Sequence, residues 1–332
     1  MTISRRNFLR DSTQALSAAS LLGTVPALVA AKDSKARASA KDISVKDVAG
    51  LSLISGAGCN VVALAGPEGA LLVDGGLAEN SALLLQAVVS ATGTQRVHTL
   101  INTHWHPEQT GSNEAVGKAG GIVIAHEVSK LALAARNRSA VYEGIYGPLP
   151  AKALPTVTTY NTGTVEWSGE KAEYRYLPGA HTNGDLFVHF PRRNVIVVGG
   201  CVGSDRWPVI DYMNGGFMHG FVRSYEILAD IVKPDTIVIP ANGPTLTGAD
   251  IVKHKQVYYD LFKQFFVLFN KGFGPKDVAA FNQGAEFMGV GQVVADRPLK
   301  RDLGLALAAQ LGDSSQFLEY AYRSTQLATL PH

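Results

Sequence analysis

The segment INTHWHPEQTG, at residues 101–111, carries the strongest indication of the fold. An apolar run that ends before Thr103 has the length and composition of a strand, and His104 and His106 follow it directly. Two imidazoles separated by one residue can point at a single metal ion, and Glu108 adds a carboxylate two positions later. The segment therefore predicts a metal site in the loop after a strand.

Two further segments place ligand-type side chains at strand ends. His181 lies in PGAHTNGD, residues 178–185, on a glycine-flanked turn between two predicted strands. Cys201 ends the run VGGC, residues 198–201, in which two glycines let the backbone approach another group closely. Taken singly, such a histidine can simply hold a turn, and a free cysteine packs as a small hydrophobic residue. Their succession, each at a strand end, favours a shared metal site.

The composition excludes several other classes of protein. Of the 332 residues, 46% are hydrophobic and 17% are charged, which is typical of a globular chain with a sizeable core. The net charge of +2 is too small for a nucleic-acid-binding protein, so we expect a small-molecule substrate and no nucleic acid as partner. Two cysteines exclude a disulfide scaffold and a zinc module with four thiolates.

The N-terminus resembles an export signal. Arg5 and Arg6 begin the pattern RRNFL, which resembles twin-arginine signals, and a weakly apolar stretch follows over 15–31. That stretch is too short to span a bilayer as a helix. Residues 1–31 are therefore predicted to be a signal peptide, the mature protein to be periplasmic, and no stable membrane insertion to remain after its removal. An ordinary amphipathic N-terminal helix is the alternative.

The rest of the chain predicts one domain of mixed class. Residues 32–46 lack an apolar period and are expected to form a flexible leader. From 47 to 332, a meander of short strands followed by a helix and another strand occurs twice, which favours an α/β (α+β) fold with two packed sheets and helices outside. Helices are expected over 128–142 and 249–273, and the part from about 275 is expected to be helical.

Five motifs together resemble those of the metallo-β-lactamase superfamily over nearly the whole mature chain. They are LVDGG at 72–76, THWHPE at 103–108, GAHTNGD at 179–185, GGC at 199–201 and IPANGP at 239–244. The chain is most similar to an exported zinc-hydrolase-like branch related to sulfur-oxidation and quinoprotein-relay accessory proteins. The resemblance implies a four-layer αββα sandwich with the metals at the sheet edge, between the two halves.

The resemblance also implies a role for individual residues. His104, His106 and His181 would hold one zinc ion, and Asp74 would brace the loop that carries the ligands. Three neutral imidazoles leave zinc one open position, where the pKa of a bound water falls to about 7, so hydroxide is available to attack an ester, thioester, lactone or amide. Glu108 would orient that water or take its proton.

The chain departs from the family pattern at the second metal site. The usual HxHxDH motif ends here in Glu108 and Gln109, and Asn242 replaces the last histidine. The bridging position is Cys201, which with Glu108 would form the second site. Since amides are poor zinc ligands, we expect one firmly bound zinc and a weak or empty second site, with iron or manganese as alternative metals.

Two residues near the motifs have expected roles outside the set of metal ligands. Asp185 is expected to hold a turn or a ligand histidine, and His219 is expected to line the cleft. The altered ligands also suit a non-catalytic periplasmic accessory protein that binds metal or a small molecule. If Cys201 joined the three histidines on one ion, the site would be closed and structural. Lactamase activity is disfavoured because Ser204 stands where the Gly-Gly-Cys lactamases usually have lysine.

Overall fold

The computed structural model describes residues 38–39, 42–280, 306–307 and 309–329. The predicted signal at 1–31 and most of the predicted leader lie outside these residues. Strand β1 spans Ser44–Val48, so the last three residues of the predicted leader belong to a sheet instead. A turn at Ala49 and Gly50, both with positive φ, returns the chain antiparallel onto the next strand, which explains why the leader ends early.

The first sheet contains seven strands in sequence order. After β1 come β2 Leu51–Ser55, β3 Val61–Gly66, β4 Gly69–Val73, β5 Val97–Ile101, β6 Ile122–His126 and β7 Val157–Thr159. Neighbours are antiparallel up to β4 and parallel from β4 to β7. The helices of this half are α1 Ser81–Thr92, α2 Pro107–Thr110, α3 Asn113–Lys118 and α4 Glu127–Ala134.

The second sheet contains six strands, in the order β13-β12-β11-β10-β9-β8. They are β8 Thr162–Trp167, β9 Glu170–Leu177, β10 Asp185–Phe190, β11 Val195–Gly199, β12 Ile237–Pro240 and β13 Leu246–Thr247. The pairing of β11 with β12 is parallel, and helix α5, Met218–Ile231, makes the crossover between them. Further helices are α6 Gly248–Asn270, α7 Pro275–Ala280 and α8 Ser315–Thr329.

Three hydrophobic clusters lie at the three interfaces of a four-layer sandwich. Between the sheets, Val62 and Val73 of the first belong to one cluster with Val188 of the second. On the outer face of the first sheet, Leu84 of α1 packs with Leu72 and other strand residues. On the outer face of the second sheet, residues of α5, α6 and α8 pack together with those of β11 and β12. The αββα prediction is confirmed.

The helix expected over 128–142 ends early, at Ala134. The side-chain amide of Asn137 donates to the carbonyl of Ala132 in the last turn, and the backbone amide of Ala135 donates to the same carbonyl at 3.4 Å. Asn137 and Tyr146 then exchange two backbone hydrogen bonds of 2.8 and 2.9 Å. Residues 135–150 therefore form a loop, called the 135–150 loop below, and it carries a tyrosine that matters for the site.

The long helix expected over 249–273 is α6. Thr247 caps its first turn, since the Thr247 side chain accepts from the Asp250 amide and the Asp250 carboxylate accepts in return from Thr247. Tyr258 and Phe265 are fully buried against the second sheet layer, as a core-facing helix requires. No helix among the described residues combines the length and the apolar character needed to cross a membrane.

Candidate metal centre

Three histidines meet where the ends of the two sheets come together. His104 and His106 lie in the loop after β5, and His181 lies in the turn between β9 and β10. The amide of Leu186 donates to the carbonyl of Thr103 at 2.7 Å, which ties the two loops to each other. The ring centroids are 4.6–4.8 Å apart and all three side chains are buried.

A chain of hydrogen bonds from Asp74 fixes the orientation of His104. The Thr103 hydroxyl donates to the Asp74 carboxylate at 2.8 Å, and the Thr103 amide donates to it at 2.7 Å. The oxygen of the same hydroxyl lies 3.1 Å from Nδ1 of His104. Because the hydroxyl proton is donated to Asp74, this oxygen accepts a hydrogen bond from the N–H at Nδ1. Nε2 of His104 is therefore the nitrogen with the lone pair. Burial raises the pKa of Asp74 to about 7, against the lowering effect of the Thr103 bonds.

The other two histidines are oriented by one segment of chain, residues 209–211. Nδ1 of His181 donates to the carbonyl of Val209, which leaves the lone pair on Nε2. Nε2 of His106 donates to the Asp211 carboxylate at 3.1 Å, which leaves the lone pair on Nδ1. These two lone-pair nitrogens lie 3.0 Å from each other. A protein acceptor thus fixes the tautomer of each imidazole.

This arrangement fits a bound metal ion. The lone pairs of His106 and His181 face each other across 3.0 Å and repel unless a cation lies between them. The other nitrogen of each ring already donates to an oxygen acceptor. Burial and the neighbouring imidazoles of His181 and His106 hold the pKa of His104 well below its usual value, so the ligand is neutral. Among the residues that the structure describes, these three form the only cluster of three or more His, Cys, Asp or Glu ligand atoms suited to a metal.

Two glycines allow the close approach that the sequence suggested. A Cβ on Gly200 would lie 2.5 Å from Cδ2 and 2.7 Å from Nε2 of His181. A Cβ on Gly199 would lie 2.5 Å from Oγ1 of Thr103, and Gly199 has a φ of +56°. The end of β11 therefore packs directly against both ligand loops, and only glycine leaves room for the imidazole ring.

Asp211 was not among the predicted site residues. Its carboxylate accepts from Ser139 Oγ at 2.7 Å, from the Ala140 amide at 3.1 Å and from Asn214 Nδ2 at 2.8 Å, besides His106. Burial is the largest single influence on the pKa of Asp211 and raises it, but the hydrogen bond and charge of His106, together with the bonds from Ala140 and Ser139, outweigh burial, so the pKa is lowered. Its amide also donates to the carbonyl of His181 at 2.8 Å, so Asp211 joins both ligand loops. In the sequence Asp211 lies in the segment WPVIDY, residues 207–212, more than 20 positions from any of the three histidines.

Glu108 lies buried beside this cluster and has a partner that the sequence did not indicate. The Tyr142 hydroxyl, from the 135–150 loop, donates to Oε2 of Glu108. The ring of Tyr142 stands edge-on to that of His106, with centroids 5.0 Å apart. The Cys59 thiol donates to the carbonyl of Glu108 at 2.9 Å. Tyr142 thus connects the carboxylate predicted to act on water with His106, although that carboxylate lies outside the converging group of ligand atoms.

Cys201 lies outside the group of converging ligand atoms, although it was predicted as a metal ligand. It is 1% exposed and belongs to the hydrophobic cluster beneath the second sheet. Burial, and next the negative charge of Asp185, raise its pKa well above the usual value, so the sulfur is a thiol. Asp185 itself accepts from the amide and hydroxyl of Thr182, at 2.8 and 2.7 Å, and so closes the turn that carries His181.

The remaining predicted residues are placed less centrally. Gln109 contributes its backbone, because its carbonyl accepts from the amides of Gly75 and Asn102. Asn242 is exposed, and its carbonyl accepts from Ser204 at 3.1 Å. His219 does not line the cleft as expected: it is exposed on α5, with its ring centroid 5.9 Å from that of Phe262.

Several solved structures share this fold. A metallo-beta-lactamase from Pontibacter korlensis aligns with a TM-score of 0.50 and 21% identity, over 65% of this chain and 93% of that one. The DIM-1 metallo-beta-lactamase aligns with a TM-score of 0.53 and 17% identity, over 66% and 98%. The sec-alkylsulfatase Pisa1 from Pseudomonas sp. aligns with a TM-score of 0.58 and 17% identity, over 87% of this chain and 52% of that one. At these identities the likeness concerns the fold.

The sequence comparisons give the family. No protein with a curated description matches the chain significantly. The family model described as "Metallo-beta-lactamase superfamily" matches residues 54–241, more than half of the chain, and this range contains all three histidines of the cluster and Asp211. The chain belongs to the metallo-beta-lactamase superfamily.

Proposed function

We propose that this protein is an exported zinc-dependent hydrolase that acts on an ester, thioester, lactone or amide bond of a small molecule. The observation that carries the proposal is the convergence of one lone pair from each of three histidines, His104, His106 and His181. The second nitrogen of each ring donates to an oxygen acceptor, which fixes the direction of the lone pair. Imidazole ligands without a carboxylate among them favour zinc over manganese or magnesium. A bound zinc ion supplies a Lewis acid that polarises the substrate and activates water.

Glu108 supplies the base in this proposal. Its carboxylate is held by the Tyr142 hydroxyl beside the ring of His106, where it can orient the attacking water and accept a proton from it. The chain thus keeps a carboxylate next to the histidine cluster although the usual aspartate of the family is absent.

One firmly bound metal is the stoichiometry that we propose. Two amide residues replace the histidines of the usual second site. They are Gln109, whose backbone carbonyl accepts a hydrogen bond from the Gly75 amide, and the exposed Asn242. Cys201 donates to Asp185 within the core. These placements support a mononuclear centre. They also favour an open metal over a structural one, because no fourth ligand joins the cluster from the part of the chain that the structure describes.

The surroundings of the site favour esters and lactones over β-lactams. Ser204 occupies the position at which related lactamases usually carry a lysine, and its hydroxyl donates to the Asn242 carbonyl. The nearest arginine in sequence, Arg206, pairs with Asp205 at 3.1 Å. Neither residue offers an unpaired cation for the carboxylate of a lactam antibiotic. We therefore propose a neutral acyl substrate.

The first experiment is the metal content of the purified mature protein, prepared without chelator, for the parent, His104→Ala and Cys201→Ser. His189→Ala is the matched control, because His189 is a half-buried histidine on β10 that pairs with Glu173. We expect one zinc per chain in the parent, the control and Cys201→Ser, and none in His104→Ala. Zinc lost in both His104→Ala and Cys201→Ser would indicate a closed four-ligand site instead.

Activity is tested on the same proteins with a panel of p-nitrophenyl esters, thioesters, lactones and a β-lactam. We expect turnover of at least one ester, thioester or lactone by the parent and the control, and its loss in His104→Ala. A parent that holds zinc and hydrolyses nothing in the panel would favour the non-catalytic accessory role. A parent without any metal would refute the hydrolase proposal.

Export is proposed from the sequence pattern alone. A reporter fused behind residues 1–31 should reach the periplasm of a bacterium with an intact twin-arginine pathway. Replacing Arg5 and Arg6 together by lysine should retain the reporter in the cytoplasm, as should deletion of the pathway. Export that continues in both cases would contradict the twin-arginine assignment.

A further inference from the structure

Helix α8 lies outside the region that the family model matches and contacts two loops beside the metal centre. That region ends at residue 241, whereas α8 spans Ser315–Thr329. The Tyr320 hydroxyl on this helix donates to the carbonyl of Ala140 at 2.7 Å. The ring of Tyr320 stands edge-on to the ring of Tyr212, with centroids 5.4 Å apart. One side chain of α8 therefore touches two separate loops.

Both of these loops hold the carboxylate of Asp211. Ala140, whose carbonyl accepts from Tyr320, donates its own amide to Oδ1 of Asp211 at 3.1 Å. Tyr212, which the Tyr320 ring contacts, is the next residue after Asp211 in the chain. Tyr320 thus lies against the peptide that donates to the carboxylate and against the turn that carries it. No described contact joins Tyr320 to the histidines themselves.

We propose that Tyr320 is a positioning residue of the metal centre. By holding Ala140 and Tyr212 in place, it sets the direction of the Asp211 carboxylate, and Asp211 in turn fixes the ring of His106 through the 3.1 Å bond to Nε2. Groups that orient a ligand histidine raise its metal affinity, since the ring need not be ordered when the metal binds. The inference rests on the proposed function only in that the cluster binds a metal.

The chain offers a matched control on the same helix. Tyr322 is two residues along α8, and its hydroxyl also donates to a backbone carbonyl at 2.7 Å, that of Phe273. Phe273 lies between α6 and α7, among the outer helices rather than in the loops of the metal centre. Tyr320→Phe and Tyr322→Phe therefore each remove one hydroxyl and one similar hydrogen bond. Only the first removal acts on the network of Asp211.

The test measures zinc affinity of the mature full-length protein by competition with a chromophoric chelator. We expect Tyr320→Phe to weaken binding about three- to tenfold and Tyr320→Leu, which also removes the ring contact, to weaken it further. Tyr322→Phe should leave the affinity at the parent value. The absorption bands of the cobalt-substituted protein should shift in the Tyr320 variants and remain unchanged in Tyr322→Phe.

A double-mutant cycle separates this role from general stabilisation. When Asp211→Asn is already present, Tyr320→Phe should cause little further loss of zinc affinity, because its effect passes through the carboxylate. Equal losses in the Tyr320 and Tyr322 variants, or fully additive losses in the cycle, would overturn the inference while leaving the hydrolase proposal intact. A parent that binds no zinc would overturn both.

Discussion

The Asp211 carboxylate lies 3.1 Å from Nε2 of His106, although the two residues are 105 positions apart in the chain. Asp211 is fully buried, and its own amide donates to the carbonyl of His181. One residue therefore fixes the ring of one candidate ligand and the backbone of another. Because a buried carboxylate is costly unless its oxygens accept hydrogen bonds, the three further donors around it serve the metal centre as well.

Replacing Asp211 with asparagine should weaken zinc binding about 10- to 100-fold. The amide keeps the shape of the side chain and can still accept from His106, but it carries no charge to favour the proton on Nε2. Chelator competition on the purified variant measures the change. Asp205→Asn is the control, since Asp205, six residues before Asp211, is an exposed carboxylate that pairs with the neighbouring Arg206. An Asp211→Asn protein with parental affinity would contradict the role assigned to this contact.

Gly200→Ala should reduce zinc affinity by at least about tenfold, because the added Cβ meets the ring of His181 at 2.5 Å and must displace it. Gly93→Ala makes a useful comparison. Gly93 has a φ of +66° and open space around it, so alanine there strains the backbone without reaching any side chain. We expect Gly93→Ala to lower the thermal midpoint and keep the zinc affinity. If the two variants lost affinity equally, the close packing of Gly200 would not be the cause.

The sequence predicted those site residues whose role can be inferred from a short segment alone. His104, His106 and His181 each lie in a motif of a few residues at a strand end, and the alternation of strands and helices predicts the layers. The glycines before Cys201 likewise indicated a close approach, and the structure shows that Gly200 packs on His181.

The parts that could not be predicted depend on packing between distant segments. Asp211 and Tyr142 reach His106 and Glu108 from separate loops, and no local spacing indicates such contacts. Tyr142 was moreover expected to lie in a helix, which in fact ends at Ala134, where Ala135 is extended and the side-chain amide of Asn137 donates to the carbonyl of Ala132. His219 was expected in the cleft from its position near Gly216, but the first turn of α5 directs it to the surface beside Phe262.

Replacing Glu108 with glutamine should lower kcat about 100- to 10,000-fold while zinc remains bound. The amide cannot accept a proton from water, yet it can still accept the hydrogen bond of Tyr142, so the loop should keep its position. Steady-state kinetics on the best substrate of the panel, together with zinc content, measure both effects. Glu114→Gln is the control, because Glu114 is a half-buried carboxylate on α3 that pairs with Lys118. If Glu108→Gln kept its kcat, another group would have to be the base.

The free energy of unfolding should depend on pH through His254, a buried histidine in the outer helical layer. Burial lowers the pKa of His254 from 6.5 to about 4; Asp250 raises it and Lys253 lowers it further. Nδ1 of His254 has no hydrogen-bond partner among the described residues. The folded protein therefore keeps this ring neutral at a pH where the unfolded chain already binds a proton. Because its folded pKa is depressed, the stability contribution is present above pH 6.5 and is lost as the pH falls toward 4.

His254 should thus account for about 2 to 3 kcal/mol of the unfolding free energy lost between pH 7 and pH 4. His254→Gln cannot bind this proton in either state, so its unfolding free energy, measured by urea denaturation across that range, should fall less steeply than that of the parent. His219→Gln, at an exposed position on α5, should keep the parental slope. The comparison is made with zinc removed from all three proteins, because the histidines of the metal centre also bind protons. A His254→Gln protein with the parental slope would mean that the buried ring binds its proton as readily in the folded state as in the unfolded chain.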